Sequence, residues 1–259
     1  MAGRGMTGTA LVRRPSSRLA EGIVTHIERS PVDLDLARRQ HEGYVAALEG
    51  HGWRVREVPP ADDCPDSVFI EDTVVVCDGT AVITRPGAPS RRAETAAVEA
   101  TVRELGLAVV HIEDPGTLDG GDVLQIGRTV YVGLGGRTNA EGIRQLGAAL
   151  APLGRTIVTV PLTKVLHLKS AITALPDGTP ISWGDLVEHD AFPTVREVPE
   201  EPGAHVVPLG GKDVLIAASA PRTAELIAGW GYRAVVVDIT EYERLEGCVT
   251  CLSVLIPAG

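Results

Sequence analysis

Apolar and polar positions along the chain repeat in one order. Residues 73–77 and 80–84 are short β-branched runs on either side of Asp78-Gly79. That dipeptide suits the positive backbone angles of a two-residue hairpin, so the pair predicts two antiparallel strands. Over residues 90–105 Ala, Val and Leu recur at helical spacing, with Gly106 as a C-terminal stop, and 107–112 reads as a further strand. The unit is strand, strand, helix, strand.

The same order returns. Residues 123–126 and 129–132 flank Gly127-Arg128. Thr138 with Glu141 has the spacing of a capping box. Ile143, Leu146, Leu150 and Leu153 then share one helical face before Gly154, and 156–160 is a strand. A shorter copy runs from about Ala171 through 183–189 to Val195. A fourth runs from His205 and 214–217 through a helix after Pro221 to 234–237. The fifth is split. Residues 250–256 supply its first strand and 9–14 the next. Residues 34–48 form a helix with Leu34, Ala37, His41, Tyr44 and Leu48 on one face, and 53–58 is the last strand. Five α/β modules whose two ends share one module close most simply as a ring, a single domain over 1–259. Module starts then point at one axis. They carry Glu71-Asp72, Gly121-Asp122 and residues 167–170, with Cys251 in the first strand of the split module.

Composition narrows the chemistry. With 259 residues, 44% hydrophobic and 22% charged, the chain buries a core without metal or disulfide staples. The balance of 24 basic against 34 acidic residues, net −10, argues against a phosphate-binding basic face and suits a soluble protein or a cationic small substrate. Four cysteines are too few for a disulfide scaffold. Residues 1–17 lack the apolar stretch of a secretory signal, and no run suggests a membrane span, so a cytoplasmic location with reduced thiols is expected.

Each candidate residue has a bland reading beside the chemical one. Cys248-Val249-Thr250-Cys251 is a CxxC pair, but 249–256 reads as a strand rather than the helix a redox motif opens. Cys64 and Cys77 lack the spacing of a second zinc pair. Cys251 is then either a small buried hydrophobe or a nucleophile. His167 is a structural histidine or the partner such a nucleophile needs. Asp119, in Thr117-Leu118-Asp119-Gly120-Gly121-Asp122, is a turn residue or a carboxylate beside a buried strand. Asp66, Glu71 and Asp72 are a solvated loop or, set between apolar runs, acids that need a cation. Arg91 and Arg137 are surface residues or, at helix starts beside free N–H groups, a carboxylate clamp. Residues 133–138 follow a strand and open a helix, yet they lack the final glycine of a dinucleotide fingerprint, and no acid ends the next strand.

Taken in order, several strings resemble the dimethylarginine dimethylaminohydrolase family of guanidine-modifying penteins. They are Asp66-Ser67-Val68-Phe69-Ile70-Glu71-Asp72, Thr84-Arg85-Pro86-Gly87-Ala88-Pro89-Ser90-Arg91-Arg92, Thr117 to Leu124, Arg137-Thr138-Asn139, Leu166-His167-Leu168-Lys169-Ser170 and Thr250 to Ile256. The resemblance implies a five-module α/β-propeller and hydrolysis of Nω-methylated arginine to citrulline and methylamine or dimethylamine. It makes Cys251 the nucleophile, His167 the general acid/base and Asp119 the acid that orients it. It sets Asp66, Glu71 and Asp72 around the guanidinium and Arg91 and Arg137 on the substrate carboxylate, with Ile23 and Leu245 near the α-amino group. Neither a metal nor an organic cofactor is implied, and Cys248 has no counterpart in the family string.

The nearest rival is an arginine deiminase of the same superfamily. Those enzymes usually carry an Asp two residues after the catalytic His, where this chain has Lys169. Such an Asp would accept from N–H groups that a dimethylated nitrogen lacks, so the methylated substrate is favoured. A non-catalytic pentein-like binding module and a redox or zinc protein built on Cys248 and Cys251 are the readings from other classes.

Overall fold

A computed structural model describes residues 7–258. The ends of the expected 1–259 domain, including the first six residues of the basic N-terminal stretch, lie outside the described residues. In chain order the elements are β1 (Gly8–Val12), α1 (Leu34–Gly50), β2 (Trp53–Glu57), β3 (Val74–Cys77), β4 (Thr80–Ile83), α2 (Thr95–Glu104), β5 (Ala108–His111), β6 (Val123–Ile126) and β7 (Thr129–Leu134). There follow α3 (Ala140–Leu150), β8 (Thr156–Pro161), β9 (Ile172–Ala174), β10 (Pro180–Ser182), β11 (Arg196–Glu197), β12 (Val206–Gly210), β13 (Asp213–Ala217), α4 (Pro221–Gly229), β14 (Arg233–Val237), α5 (Thr240–Glu243) and β15 (Val254–Pro257).

The strands form five three-stranded sheets: β3-β4-β5, β6-β7-β8, β9-β10-β11, β12-β13-β14 and β15-β1-β2. In each sheet the middle strand runs antiparallel to the first and parallel to the third. A hairpin suffices for the first pairing, whereas the second needs a crossover. Helices α1 to α4 supply four crossovers. In the third module the crossover holds only a short 3-10 turn, His189–Ala191, because Gly184 and Pro193 break the helical pattern. At the β3–β4 turn Asp78 and Gly79 take φ of 43° and 78°, the two positive angles of the expected hairpin. The first strands β3, β6, β9, β12 and β15 line a cavity of about 560 Å³ on the axis.

The apolar interior is divided among the seams between modules. Val75 and Val82 of the first module pack with Val130 and Leu146 of the second. Tyr131 and Val160 meet Ile172 and Phe192 of the third, with Tyr131 and Phe192 stacked at 4.4 Å between ring centroids. Ile181 meets Val214 and Ile227 of the fourth. Leu215 and Ala217 meet Ala10 and Tyr44 of the split module, and Leu11 and Val254 return to Val74 and Ile83 of the first. The ring is therefore closed by packing as well as by the β15–β1 pairing.

Three local expectations are corrected. Residues 250–252 form a turn, not the start of a strand, because the Cys251 amide donates to the Cys248 carbonyl at 3.1 Å; β15 begins at Val254. Thr138 does not cap α3. Its hydroxyl donates to Asp122 at 2.6 Å, and Asn139 caps instead, accepting from the Gly142 amide at 2.8 Å. The helix expected over 90–105 opens as a 3-10 segment, Pro89–Glu94, before α2.

Candidate active site

The loops entering the first strands converge at one end of the ring. There Ile23, Asp66, Asp72, Arg91, Arg137, His167, Leu245 and Cys251 line one narrow cleft, together with Phe69, Leu166, Glu246 and Gly247. Asp119 lies directly behind His167, fully buried, with its Oδ2 3.0 Å from the His167 Nε2. The other Asp119 oxygen accepts from the Gly87 amide at 2.8 Å, and Arg137 approaches Oδ2 at 3.4 Å. These contacts fix the carboxylate, and the carboxylate fixes the ring.

Glycine makes the approach possible. A Cβ on Gly121 would lie 2.8 Å from His167 Nδ1 and 2.8 Å from Asp72 Oδ1, and one on Gly120 would lie 1.9 Å from the Glu71 carbonyl. The glycine pair that first reads as a turn is thus the surface on which the imidazole and the first-module loop rest.

The electrostatics follow from burial and pairing. Burial pulls the His167 pKa down, but the charges of Asp72, Asp122 and Asp119 outweigh it and raise it from 6.5 to about 9. The ring is therefore an imidazolium at neutral pH. Burial pushes the Asp72 carboxyl up, yet His167 and Arg91 hold it well below the usual carboxylate range. Its oxygens accept from Arg91 Nη1 at 2.6 Å and from the Gly121 amide at 2.8 Å. Burial raises Asp66, whose Oδ1 accepts from the Ile23 amide at 2.9 Å.

At Cys251 the hydrogen bond with Cys248 is the largest influence, and with burial and the nearby Glu71 and Asp72 charges it pushes the thiol up. The cleft is thus lined by both a protonated Cys251 and a charged imidazole.

Not every expected residue reaches the cleft. Glu71 faces the axial cavity, where its carboxylate accepts from Lys169 Nζ and from the Thr250 hydroxyl at 2.9 Å. Burial raises it to about 7 despite the lysine. All three Arg91 nitrogens are engaged within the protein, by Asp72, by both Glu94 oxygens and by the Asp66 and Phe69 carbonyls. Among the described residues the Arg137 guanidinium has its ion-pair contact with Asp119 alone, at 3.4 Å, and is the freer cation.

Sequence reasoning gave no role to three acids, noting Asp122 only as a module start and passing over Glu94 and Glu246. Asp122 ties Thr138 to the Leu168 amide, bridging the second-module loop to the residue after His167, and burial lifts it to about 6. Glu94 holds Arg91 in a bidentate pair. Glu246, at φ 63°, accepts from the Thr25, His26 and Ile27 amides and so fastens the segment after Ile23 over the cleft. Its place at a module start, in the string Gly120-Gly121-Asp122, was the available signal for Asp122.

Comparison with known proteins gives a consistent neighbourhood. A family model for arginine deiminase matches residues 56–176. Over 246 residues the chain is 64% identical to N(G),N(G)-dimethylarginine dimethylaminohydrolase of Streptomyces coelicolor, covering 95% of each. It is 38% identical over 248 residues to the protein of that name from Pseudomonas aeruginosa, covering 94% of this chain and 97% of the relative. Among solved structures, the Pseudomonas aeruginosa enzyme complexed with citrulline superposes with a TM-score of 0.91 at 37% identity, over 97% of this chain and 100% of that one. The N-terminal domain of ArgZ, an arginine dihydrolase, shares the fold at 18% identity with a TM-score of 0.85, over 96% of this chain and 97% of that one.

Proposed function

The chain belongs to the dimethylarginine dimethylaminohydrolase family, and from that premise and the cleft we propose how it hydrolyses Nω-methylated L-arginine to L-citrulline and methylamine or dimethylamine. The observation that carries the reading is the convergence of Cys251, Asp72 and His167 in one cleft, with Asp119 bonded to the imidazole Nε2.

The substrate guanidinium is a delocalised cation whose carbon is a poor electrophile. Asp72 and Asp66 attract it, and its charge favours the thiolate of Cys251, which the free site disfavours. The thiolate attacks the guanidinium carbon. His167, as imidazolium, gives its proton to the departing amine, and the carbon–nitrogen bond breaks to leave an S-alkylthiouronium on Cys251. The neutral imidazole then takes a proton from water as the water oxygen attacks the same carbon. The carbon–sulfur bond breaks as the hydroxyl of the collapsing adduct gives its proton to the departing sulfur, so citrulline leaves and the protonated thiol and imidazolium of the free site are restored. Asp119 stabilises the charged ring at both stages.

At the other end of the substrate, Arg137 takes the α-carboxylate, with the Arg91 charge beside it, and Ile23 and Leu245 flank the α-amino group. Glu71 acts from behind, through Lys169 and Thr250, on the loop that carries Cys251. The substrate is a small molecule. Among the described residues no helix is long and apolar enough to cross a membrane. A cytoplasmic location completes the reading, since the thiol must stay reduced.

Incubation with asymmetric dimethylarginine should yield citrulline and dimethylamine in equal amounts, with Cys251→Ser abolishing both. Ammonia release from unmethylated arginine, with methylated arginines untouched, would replace this reading with a deiminase.

A further inference from the structure

The proposed hydrolysis uses one member of the CxxC pair and leaves the other without a task. Cys248 Sγ lies 3.4 Å from Cys251 Sγ. The turn closed by the Cys251 amide on the Cys248 carbonyl at 3.1 Å keeps the two Cα atoms within about 7 Å, the range a disulfide spans. The sulfurs need to close by only about 1.4 Å to reach bonding distance. Each thiol also has its own approach. Cys251 opens on the substrate cleft, and Cys248 forms part of the wall of a separate cavity of about 360 Å³ that also holds His205 and Lys164. Cys64 and Cys77, by contrast, are buried elsewhere and face no partner thiol.

We propose that Cys248 is a resolving thiol, making Cys248–Cys251 a site of reversible oxidation by hydroperoxides that switches hydrolysis off and shields Cys251 from irreversible damage. In the first step the Cys251 sulfur attacks a peroxide oxygen while its thiol proton passes to the departing oxygen. The oxygen–oxygen bond breaks, the sulfur is oxidised to the sulfenic acid, and water or an alcohol leaves. In the second, the Cys248 sulfur attacks the sulfenic sulfur, the sulfur–oxygen bond breaks, and water carries away the hydroxyl and the thiol proton. A reducing dithiol reverses the bond by exchange, being oxidised to its own disulfide. The location fits the role. Bound substrate covers Cys251, so oxidation acts on the idle enzyme.

The activity part rests on the reading of Cys251 as nucleophile, and the chemistry is read separately by mass. The enzyme is exposed to hydrogen peroxide, free thiols are alkylated after unfolding, and the peptide carrying both cysteines is weighed. In the unsubstituted protein that peptide should be two hydrogens lighter and resist alkylation, while Cys64 and Cys77 alkylate. Activity should fall in step with the disulfide and return on adding dithiothreitol. In Cys248→Ser, and in Cys248→Ala as a check on folding, the sulfenic acid should be trapped by dimedone. Without the trap the peptide should gain two oxygens, and the fraction of activity recovered should drop at least tenfold. Equal gain of two oxygens with and without Cys248, and no disulfide in either, would overturn the proposal. A disulfide that forms while hydrolysis continues would overturn both the switch and the nucleophile role, whereas a disulfide in a protein that never hydrolyses methylarginine would overturn the hydrolase reading alone.

Discussion

Replacing Asp119 by Asn isolates the feature on which the chemistry depends, because it keeps the shape and removes the charge. The rise of the His167 pKa from 6.5 to about 9 is worth about 3 kcal/mol in favour of the imidazolium, at ~1.4 kcal/mol per unit. Three carboxylates share that effect, and Asp119 alone bonds the ring directly, at 3.0 Å. A hydrogen bond to a charged group contributes roughly 1.5–3 kcal/mol, so its loss should lower the pKa by one to two units. The alkaline limb of the kcat/KM profile should move down by that amount. The maximal rate should fall by about 10²–10⁴, the usual contribution of a positioned acid/base. Stability carries the same signature. The folded pKa lies above the unfolded value, so the charged ring stabilises the fold fully below pH 6.5, and this contribution is lost as pH rises through about 9. Melting curves of the unsubstituted protein should therefore lose more between these pH values than those of Asp119→Asn. Citrulline release and ring-proton NMR of His167, the latter in a Cys251→Ser background, provide the readings. An unchanged alkaline limb with a normal maximal rate in Asp119→Asn would refute the argument.

Three further outcomes follow from the geometry. Arg137→Met should raise KM by about 10- to 100-fold with a smaller change in kcat, the loss expected for charge-assisted bonds to the substrate carboxylate; a KM within twofold of normal would remove that role. Glu246→Ala frees three amides of the segment over a cleft with only about 20 Å³ of free space, so KM should rise roughly tenfold and Glu246→Gln, which still accepts, should restore most of it. Gly8→Ala places a Cβ 2.2 Å from the Ile256 carbonyl at φ 155°, and the melting temperature should drop by an amount equivalent to about 2–4 kcal/mol, with no drop indicating that the seam yields freely.

The modules were legible because each combines two periods, alternation in the hairpin and 3.6 in the helix, with glycine between them. The third was faint because its crossover is irregular. The turn at 250–252 was misread since Val249, Thr250 and Leu252 are strand formers; long-range contacts, the Glu71 amide on the Cys251 carbonyl at 3.2 Å and the Tyr44 hydroxyl on the Val249 carbonyl at 2.8 Å, join the hydrogen bond of the turn in holding that backbone. Helix α5 went unnoticed because its buried Tyr242 anchors only four residues, too few for a period. The candidate residues were found as strings, each weak alone. What the strings did not contain is partnership. Asp72 meets Arg91 across 19 positions and His167 meets Asp119 across 48, and nothing local encodes either pairing. For the same reason Arg91 read as a free clamp, although Glu94 already holds it, and Glu71 read as a substrate residue, although it faces Lys169.

The pairing of β15 with β1 also sets an order in time. During synthesis β1 leaves the ribosome long before β15, and Cys251 sits just ahead of β15. Bringing Gly8 against Pro257 closes a loop of roughly 250 residues, at an entropic cost of about 5 kcal/mol. His167, Asp119 and Asp72 are translated, and their modules can begin to pack, before the sulfur arrives. A nascent chain is thus chemically silent until the ring shuts, and a ribosome that stalls before residue 251 leaves a chain that carries the acid/base and no nucleophile.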